Sequence, residues 1–264
     1  MSESRVLIAV PTLGRRPQYL QQAIESILHQ SIPADVVVVA PDEPAVTHLA
    51  RRMGASVIPD PGSLPAAINA GIACASSAHD YVNWLGDDDL LEPGSLEATT
   101  GLLDRDSDAV VAYGGCRYID DQGEELWVSR AGRWANAVLG WGPDLIPQPG
   151  MLVRRTAWQQ VAGLDTSYRF AFDLDLLLRL RRLGTLVDSG VIVSSFRWHA
   201  DSLTVGDRDT NLAESERAKR QAMSPAARRV AWVWEPAVRT AIRIAAGEVN
   251  RRAVRIQAAR GAAT

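Results

Sequence analysis

Residues 35–40, DVVVVA, place four valines in a row, and few folds can accommodate such a strand. A strand with one wet face alternates apolar and polar residues, so an unbroken apolar run needs cover on both faces. A parallel sheet with helices above and below provides that cover. The surrounding pattern agrees. Residues 5–10 read as a buried strand stopped by Pro11. Tyr19, Leu20, Ala23, Ile24, Ile27 and Leu28 then recur at helical spacing. Helical segments at 45–53 and 64–74 alternate with strands at 56–58 and 81–85, and 93–103 is a further helix with proline near its first turn. The expectation is a doubly wound α/β domain.

Beyond residue 105 the pattern changes. Segments 109–113 and 116–119, the turn Asp120, Asp121, Gln122, Gly123, and a return at 125–128 suggest a hairpin. Residues 133–149 have no period and carry three prolines and two tryptophans, as a shaped loop would. Helices at 155–161 and 173–183 and a strand at 185–196 follow. The two cysteines, Cys74 and Cys116, suggest no disulfide framework, and no run is long enough to cross a membrane. A cytoplasmic protein is the expectation.

Charge is unevenly divided. From Asn211 onward there are eleven Lys/Arg against four Asp/Glu, a net +7, which leaves −10 on the first 210 residues. A nucleic-acid binder would carry a basic surface on its main domain, so that class is set aside. Lys219 is the only lysine.

Within the acidic part, Asp87, Asp88 and Asp89 follow the strand YVNWL, with Gly86 as a flexible exit. Ligands of open α/β sheets bind beyond the carboxyl ends of the strands. Three adjacent carboxylates repel one another and call for a positive partner. A divalent cation carrying a diphosphate is one, and hard oxygen ligands select Mg²⁺ or Mn²⁺. The alternative is a solvated turn with one aspartate capping the next helix. A second acidic pair, Asp173 and Asp175, opens the helix at 173–183, where the dipole stabilises a carboxylate; Asp173 is either a plain cap or a general base.

The stretch YVNWLGDDDLLEPGSL, residues 81–96, resembles the metal-binding motif of the family 2 glycosyltransferases, which have the GT-A fold. There a strand runs into an Asp-x-Asp-Asp cluster, then a proline and a leucine-bearing helix; here Gly86 stands where the first acid often is. The resemblance implies that Asp88 binds metal and Asp87 approaches the ribose or base, with Asp89 supporting either as a further metal-site residue. The opening VLIAVPTLGRRPQYLQQAIESILHQ is similar to the family's strand–Pro-Thr–loop–helix, which implies nucleotide contacts from Pro11, Thr12 and Arg15. Asp42 stands near the acid that reads the nucleobase. Asn69 matches the family's asparagine, with Ile68 in place of a frequent arginine. AGLDTSYRFAFDLDLLLRLRRLG resembles the acceptor-side motif, which implies Asp173 as base, Asp175 as a buttress to the helix or Arg179, and inversion at the anomeric carbon. His199, in FRWHADSLT, becomes a candidate metal ligand or phosphate contact. Trp134, Trp141 and Trp198 either stack on a sugar or fill core.

The expected organisation is therefore a GT-A domain over residues 1–205 and a helical, arginine-rich extension over 206–264. In the extension Val238, Ile242, Ala245, Val249, Ala253 and Ile256 fall on one face, with Trp232 and Trp234 preceding them. Such a helix suits packing on the domain, a homodimer, or peripheral contact with an anionic membrane. The expected activity is transfer of a sugar from a UDP, dTDP or GDP donor to an acceptor hydroxyl. The competing expectations are a metal-dependent nucleotidyltransferase, for which a glycine- and lysine-rich phosphate loop is missing, and a non-catalytic nucleotide-sugar-binding scaffold.

Overall fold

The computed structural model describes residues 4–130, 132–198, 208–230 and Thr240. His199, Trp232, Trp234 and the apolar stripe from Val238 to Ile256 lie outside the described residues. The chain runs β1 (Val6–Pro11), α1 (Pro17–Leu28), β2 (Ala34–Ala40), α2 (Pro44–Arg52), β3 (Ser56–Pro59), α3 (Leu64–Ile72), β4 (Tyr81–Trp84), β5 (Leu90–Leu91) and α4 (Ser95–Arg105). It continues with β6 (Ala109–Ile119), β7 (Glu125–Ser129), α5 (Gly132–Val138), β8 (Leu152–Arg154), α6 (Arg155–Gln160), α7 (Phe172–Leu180), β9 (Thr185–Arg197), α8 (Arg208–Ala222) and α9 (Pro225–Val230).

All strands join one mixed sheet in the order β3-β2-β1-β4-β8-β6-β9-β5, with β7 on β6. The strands β3, β2, β1 and β4 are mutually parallel, so their carboxyl ends share one edge. The valine run lies here, with Val38 and Val39 wholly buried. Its residues divide between two apolar layers, as a sheet covered on both faces requires. Val6, Ile8, Val10, Val36 and Val38 meet α1, with Leu20, Ala23, Ile24 and Ile27. Ala9, Val82 and Trp84 face the other way, toward α3, α6 and α7. Each fully buried valine or isoleucine contributes about 1.5–3 kcal/mol over its exposed state.

The α/β class is as expected, and the second half of the sheet adds what periodicity did not show. β8 has three residues and runs antiparallel between β4 and β6. β5 has two residues and pairs antiparallel with β9, which carries the acidic loop toward the end of β9. Residues 109–119 form one strand, interrupted in register around Gly114 and Gly115, and the expected hairpin follows. The stretch expected as a loop contains α5 at its start, with Trp134 exposed. Both cysteines are free.

The described part of the extension packs on the α/β domain. Helix α8 lies against α7, and its Ala218 is buried in the same apolar layer as Phe172 and Leu176. Among the described residues no helix is long and apolar enough to cross a membrane.

Candidate active site

Three strand ends converge where β1, β2 and β4 finish. Thr12, buried just past β1, takes the Val39 carbonyl of β2 through its backbone N–H at 2.9 Å. Its hydroxyl donates to Asp87 Oδ2 and accepts the Gly14 N–H at 2.9 Å. Thr12 and Asp87, expected from sequence to share a nucleotide site, are thus in direct contact. Pro11 is the last residue of β1, while Asp42 and Arg15 are exposed on the loops after β2 and β1. The guanidinium nearer the acidic loop is that of Arg16, with Nη1 at 3.7 Å from Asp88 Oδ2.

The three aspartates have separate surroundings. Asp87 and Asp88 are partly exposed, whereas Asp89 is buried. Asp89 Oδ1 accepts the Arg197 backbone N–H at 3.0 Å. Burial first, and then the charge of Asp88, push the Asp89 carboxyl well above the usual carboxylate range. Asp89 is therefore turned into the sheet, in support of the loop. Gly86 permits this arrangement: a Cβ there would stand 2.9 Å from Asp88 Oδ1 and 3.1 Å from Asp89 Oδ2. The missing first acid leaves the space into which the other two carboxylates fold.

Arg197 organises this loop and was not singled out from sequence. Its side chain is only 2% exposed. Nε donates to Asp88 O at 3.0 Å, Nη1 to Asp120 O at 3.0 Å and Nη2 to Gln22 Oε1 at 2.9 Å, and the guanidinium lies 4.2 Å from the Tyr19 ring centroid. One signal was available: Arg197 shares strand parity with Val193, and an arginine on a buried face needs partners.

The second acidic region lies on the other side of Trp84. Trp84, three residues before Asp87, packs on Phe172 at 6.3 Å and on Trp158 at 6.0 Å between ring centroids. Phe172 begins α7, and Asp173 follows. Asp173 Oδ1 accepts the Leu174 N–H at 2.8 Å. Burial raises its carboxyl to about 6, partly offset by backbone N–H groups. Asp144, from the loop after α5, is pushed up to about 7 by burial and by the charge of Asp173; the Ile146 N–H, at 3.0 Å, and Lys219 act in the opposite sense. Lys219, buried on α8, has its ammonium lowered by burial, against the pull of Asp144 and Glu216. Asp144 had no sequence signal; Lys219 had one, as the single lysine.

Asp175 and Asn69 have structural partners. Asp175 Oδ2 meets Arg179 Nε at 2.8 Å and Nη2 at 2.7 Å, and Arg179 Nη1 holds the carbonyls of Val161 and Gly163. The Asn69 amide, expected near the nucleotide, exchanges two 2.9 Å hydrogen bonds with the backbone of Leu164. Gly163, at φ 70°, allows the close approach, since a Cβ there would stand 2.6 Å from Asn69 Oδ1. Asn69 therefore clamps the turn before α7. Trp198, with Tyr118, Trp127 and Phe196, forms an aromatic cluster where β6, β7 and β9 meet, and Trp141 is exposed.

Among the described residues no cluster of three acidic, histidine or cysteine side chains is arranged to hold a metal ion by itself. The donor set that exists, Asp87 and Asp88 over Gly86, fits a hard cation that takes one or two protein carboxylates and completes its shell with phosphate oxygens and water.

The family model described as Glycosyl transferase family 2 matches residues 7–170. An uncharacterized glycosyltransferase of Rickettsia typhi is 24% identical over 210 residues, which cover 75% of this chain and 65% of that protein. The chain thus spans about two thirds of the length of that relative. A crystal structure of S. aureus TarS in complex with UDP-GlcNAc matches with a TM-score of 0.63 at 13% identity, covering 86% of this chain and 70% of that one. The mannosyltransferase PcManGT from Pyrobaculum calidifontis, in complex with GDP-Man and Mn2+, matches with a TM-score of 0.61 at 14% identity, covering 98% and 76%.

Proposed function

The chain belongs to glycosyl transferase family 2, and on that premise we propose that it moves a sugar from a nucleoside diphosphate donor to an acceptor hydroxyl with inversion. The observation that carries the reading is the packing of Trp84 on Phe172, which ties the loop of Asp87 and Asp88 to the helix turn of Asp173. The proposed donor site and the proposed base thus flank one apolar core.

In this reading the nucleotide lies along the strand ends of β1 and β2, with Thr12 holding Asp87 in place and Asp42 toward the base. Arg15 and Arg16 offer charge to the phosphates. Asp88 is the principal ligand for Mg²⁺ or Mn²⁺, which supplies positive charge against the leaving diphosphate. Asp89 and Arg197 hold the loop that presents Asp88. On the acceptor side Asp173 Oδ accepts the hydroxyl proton as the acceptor oxygen attacks C1 and the bond from C1 to the diphosphate oxygen breaks. A carboxyl raised to about 6 is well placed for that step, since it is ionised at neutral pH yet basic enough to share a proton in the transition state.

The test is a transfer assay over UDP-, GDP- and dTDP-sugars with Mn²⁺, comparing wild type with Asp88→Ala. Metal-dependent turnover with one donor class, reduced by about a hundredfold or more in the variant, is expected. Turnover unchanged in Asp88→Ala would contradict the donor site, and donor binding without turnover on any acceptor would favour a binding protein.

A further inference from the structure

The backbone that leads into α7 is fixed from outside, by one carboxylate on α8. Glu214 accepts the N–H of Arg169 at 3.0 Å, of Phe170 at 2.7 Å and of Ala171 at 3.1 Å. Three successive amides converging on one anion form the kind of nest found at helix N-termini, filled here by a side chain more than forty positions away. Burial acts to raise the Glu214 carboxyl, but the three N–H groups outweigh it and hold it below the usual range. Two further contacts strap the same segment. The Arg217 guanidinium lies 3.9 Å from the Tyr168 ring centroid and donates to Ser167 O at 3.0 Å. The Tyr168 hydroxyl donates to Gln221 Oε1 at 2.9 Å.

Residues 161–171 between α6 and α7 form no helix or strand, so their path is set by such contacts. That path decides where the first turn of α7 begins and hence where Asp173 points. A reacting group displaced by about 1 Å loses about a hundredfold in rate.

We propose that Glu214 is a positioning residue for glycosyl transfer: from the C-terminal extension it locks the amides of residues 169–171 and so aims Asp173 at the acceptor. This rests on Asp173 being the base. The extension is then part of the catalytic apparatus, and the domain boundary drawn near residue 205 divides one working unit.

The experiment is steady-state kinetics of the full chain for Glu214→Ala, Glu214→Gln, Asp173→Asn and Arg182→Ala. Arg182 donates to the carbonyls of Gln221 and Ala222 just past the other end of α7, so its loss loosens α8 without touching residues 167–171. Glu214→Ala is expected to lower kcat by about tenfold to a hundredfold with wild-type nucleotide affinity. Glu214→Gln, which keeps one acceptor oxygen, recovers part of that loss, and Arg182→Ala lowers Tm while kcat stays.

The pH profile separates aim from mere stability. Asp173 is faced by Asp144 from the loop after α5, which Lys219 of α8 faces in turn, and the Asp175–Arg179 pair lies on its own helix. Burial is what raises the Asp173 carboxyl, so a turn freed by Glu214→Ala lets water reach it and moves the acid limb of kcat to lower pH, a shift that Arg182→Ala does not produce. Full kcat in Glu214→Ala beside an inactive Asp173→Asn overturns this proposal alone, as does an equal kcat loss in Arg182→Ala at equal Tm. Full turnover in Asp173→Asn overturns the base assignment and this proposal with it.

Discussion

The acidic loop after β4 and the acidic turn at the start of α7 both set aspartates at the end of a regular element, yet they are built on opposite electrostatic plans. In the loop each carboxylate is met by a donor from another element: the Thr12 hydroxyl on Asp87, the Arg16 guanidinium near Asp88, the Arg197 N–H on Asp89. In the turn, Asp173 faces a second carboxyl, Asp144, over an apolar layer containing Phe172 and Ile146. The first plan holds Asp87 and Asp88 with donors from other elements, as the proposed ligands of a cation and a nucleotide should be held. The second raises proton affinity toward neutrality, as a group that takes a proton from a hydroxyl requires.

The contrast breaks most severely at Arg197. Replacing it with leucine strips the Asp88, Asp120 and Gln22 oxygens of their guanidinium donor, so a loss of about 3–5 kcal/mol is expected. Denaturant unfolding should show it, and a loss under about 1 kcal/mol would mean that the loop is held elsewhere. The opposite sign is expected at the turn of α7. Asp144 has its folded proton affinity raised, so its stabilising contribution is present below about pH 4 and is lost as pH rises through about 7. Asp144→Asn should therefore stabilise the fold by roughly 1–3 kcal/mol at pH 8, with the gain vanishing below about pH 4. A variant less stable than wild type at pH 8 would show that the Asp144 charge is compensated. The mildest change is Thr12→Val, which removes one hydroxyl from Asp87. It should weaken nucleotide binding by about fivefold, near 1 kcal/mol, in a calorimetric titration, and leave Asp173-dependent proton transfer intact.

The two plans were not equally legible in the amino-acid sequence. The strand-end half is local: β1 and β2 are largely apolar runs, β4 is apolar but for Asn83, Pro11, Pro41 and Gly86 stand at or just past their ends, and parallel pairing puts those ends together. The resemblance to the family's opening and acidic motifs assigns Thr12 and Asp87 to one site, and the structure brings them into contact. The second half of the sheet and the turn of α7 depend on contacts that periodicity does not carry. β8 and β5 are too short to show a pattern, and α5 is concealed among prolines and exposed tryptophans. Arg197 reaches Gln22 across 175 positions, and Glu214 reaches Phe170 across 44. Asn69, assigned to the nucleotide through the family resemblance, has a partner that the sequence did not announce: its amide closes a turn at Leu164.

The central claim is that the two regions divide the work, the loop binding the donor and the turn taking the proton. The most direct measurement is a paired one on Asp173→Asn: calorimetric titration of the donor nucleotide with Mn²⁺, and turnover on the same sample. The account predicts wild-type nucleotide affinity with kcat lowered by about a hundredfold to ten-thousandfold. Retained turnover, or nucleotide binding lost together with turnover, would contradict it.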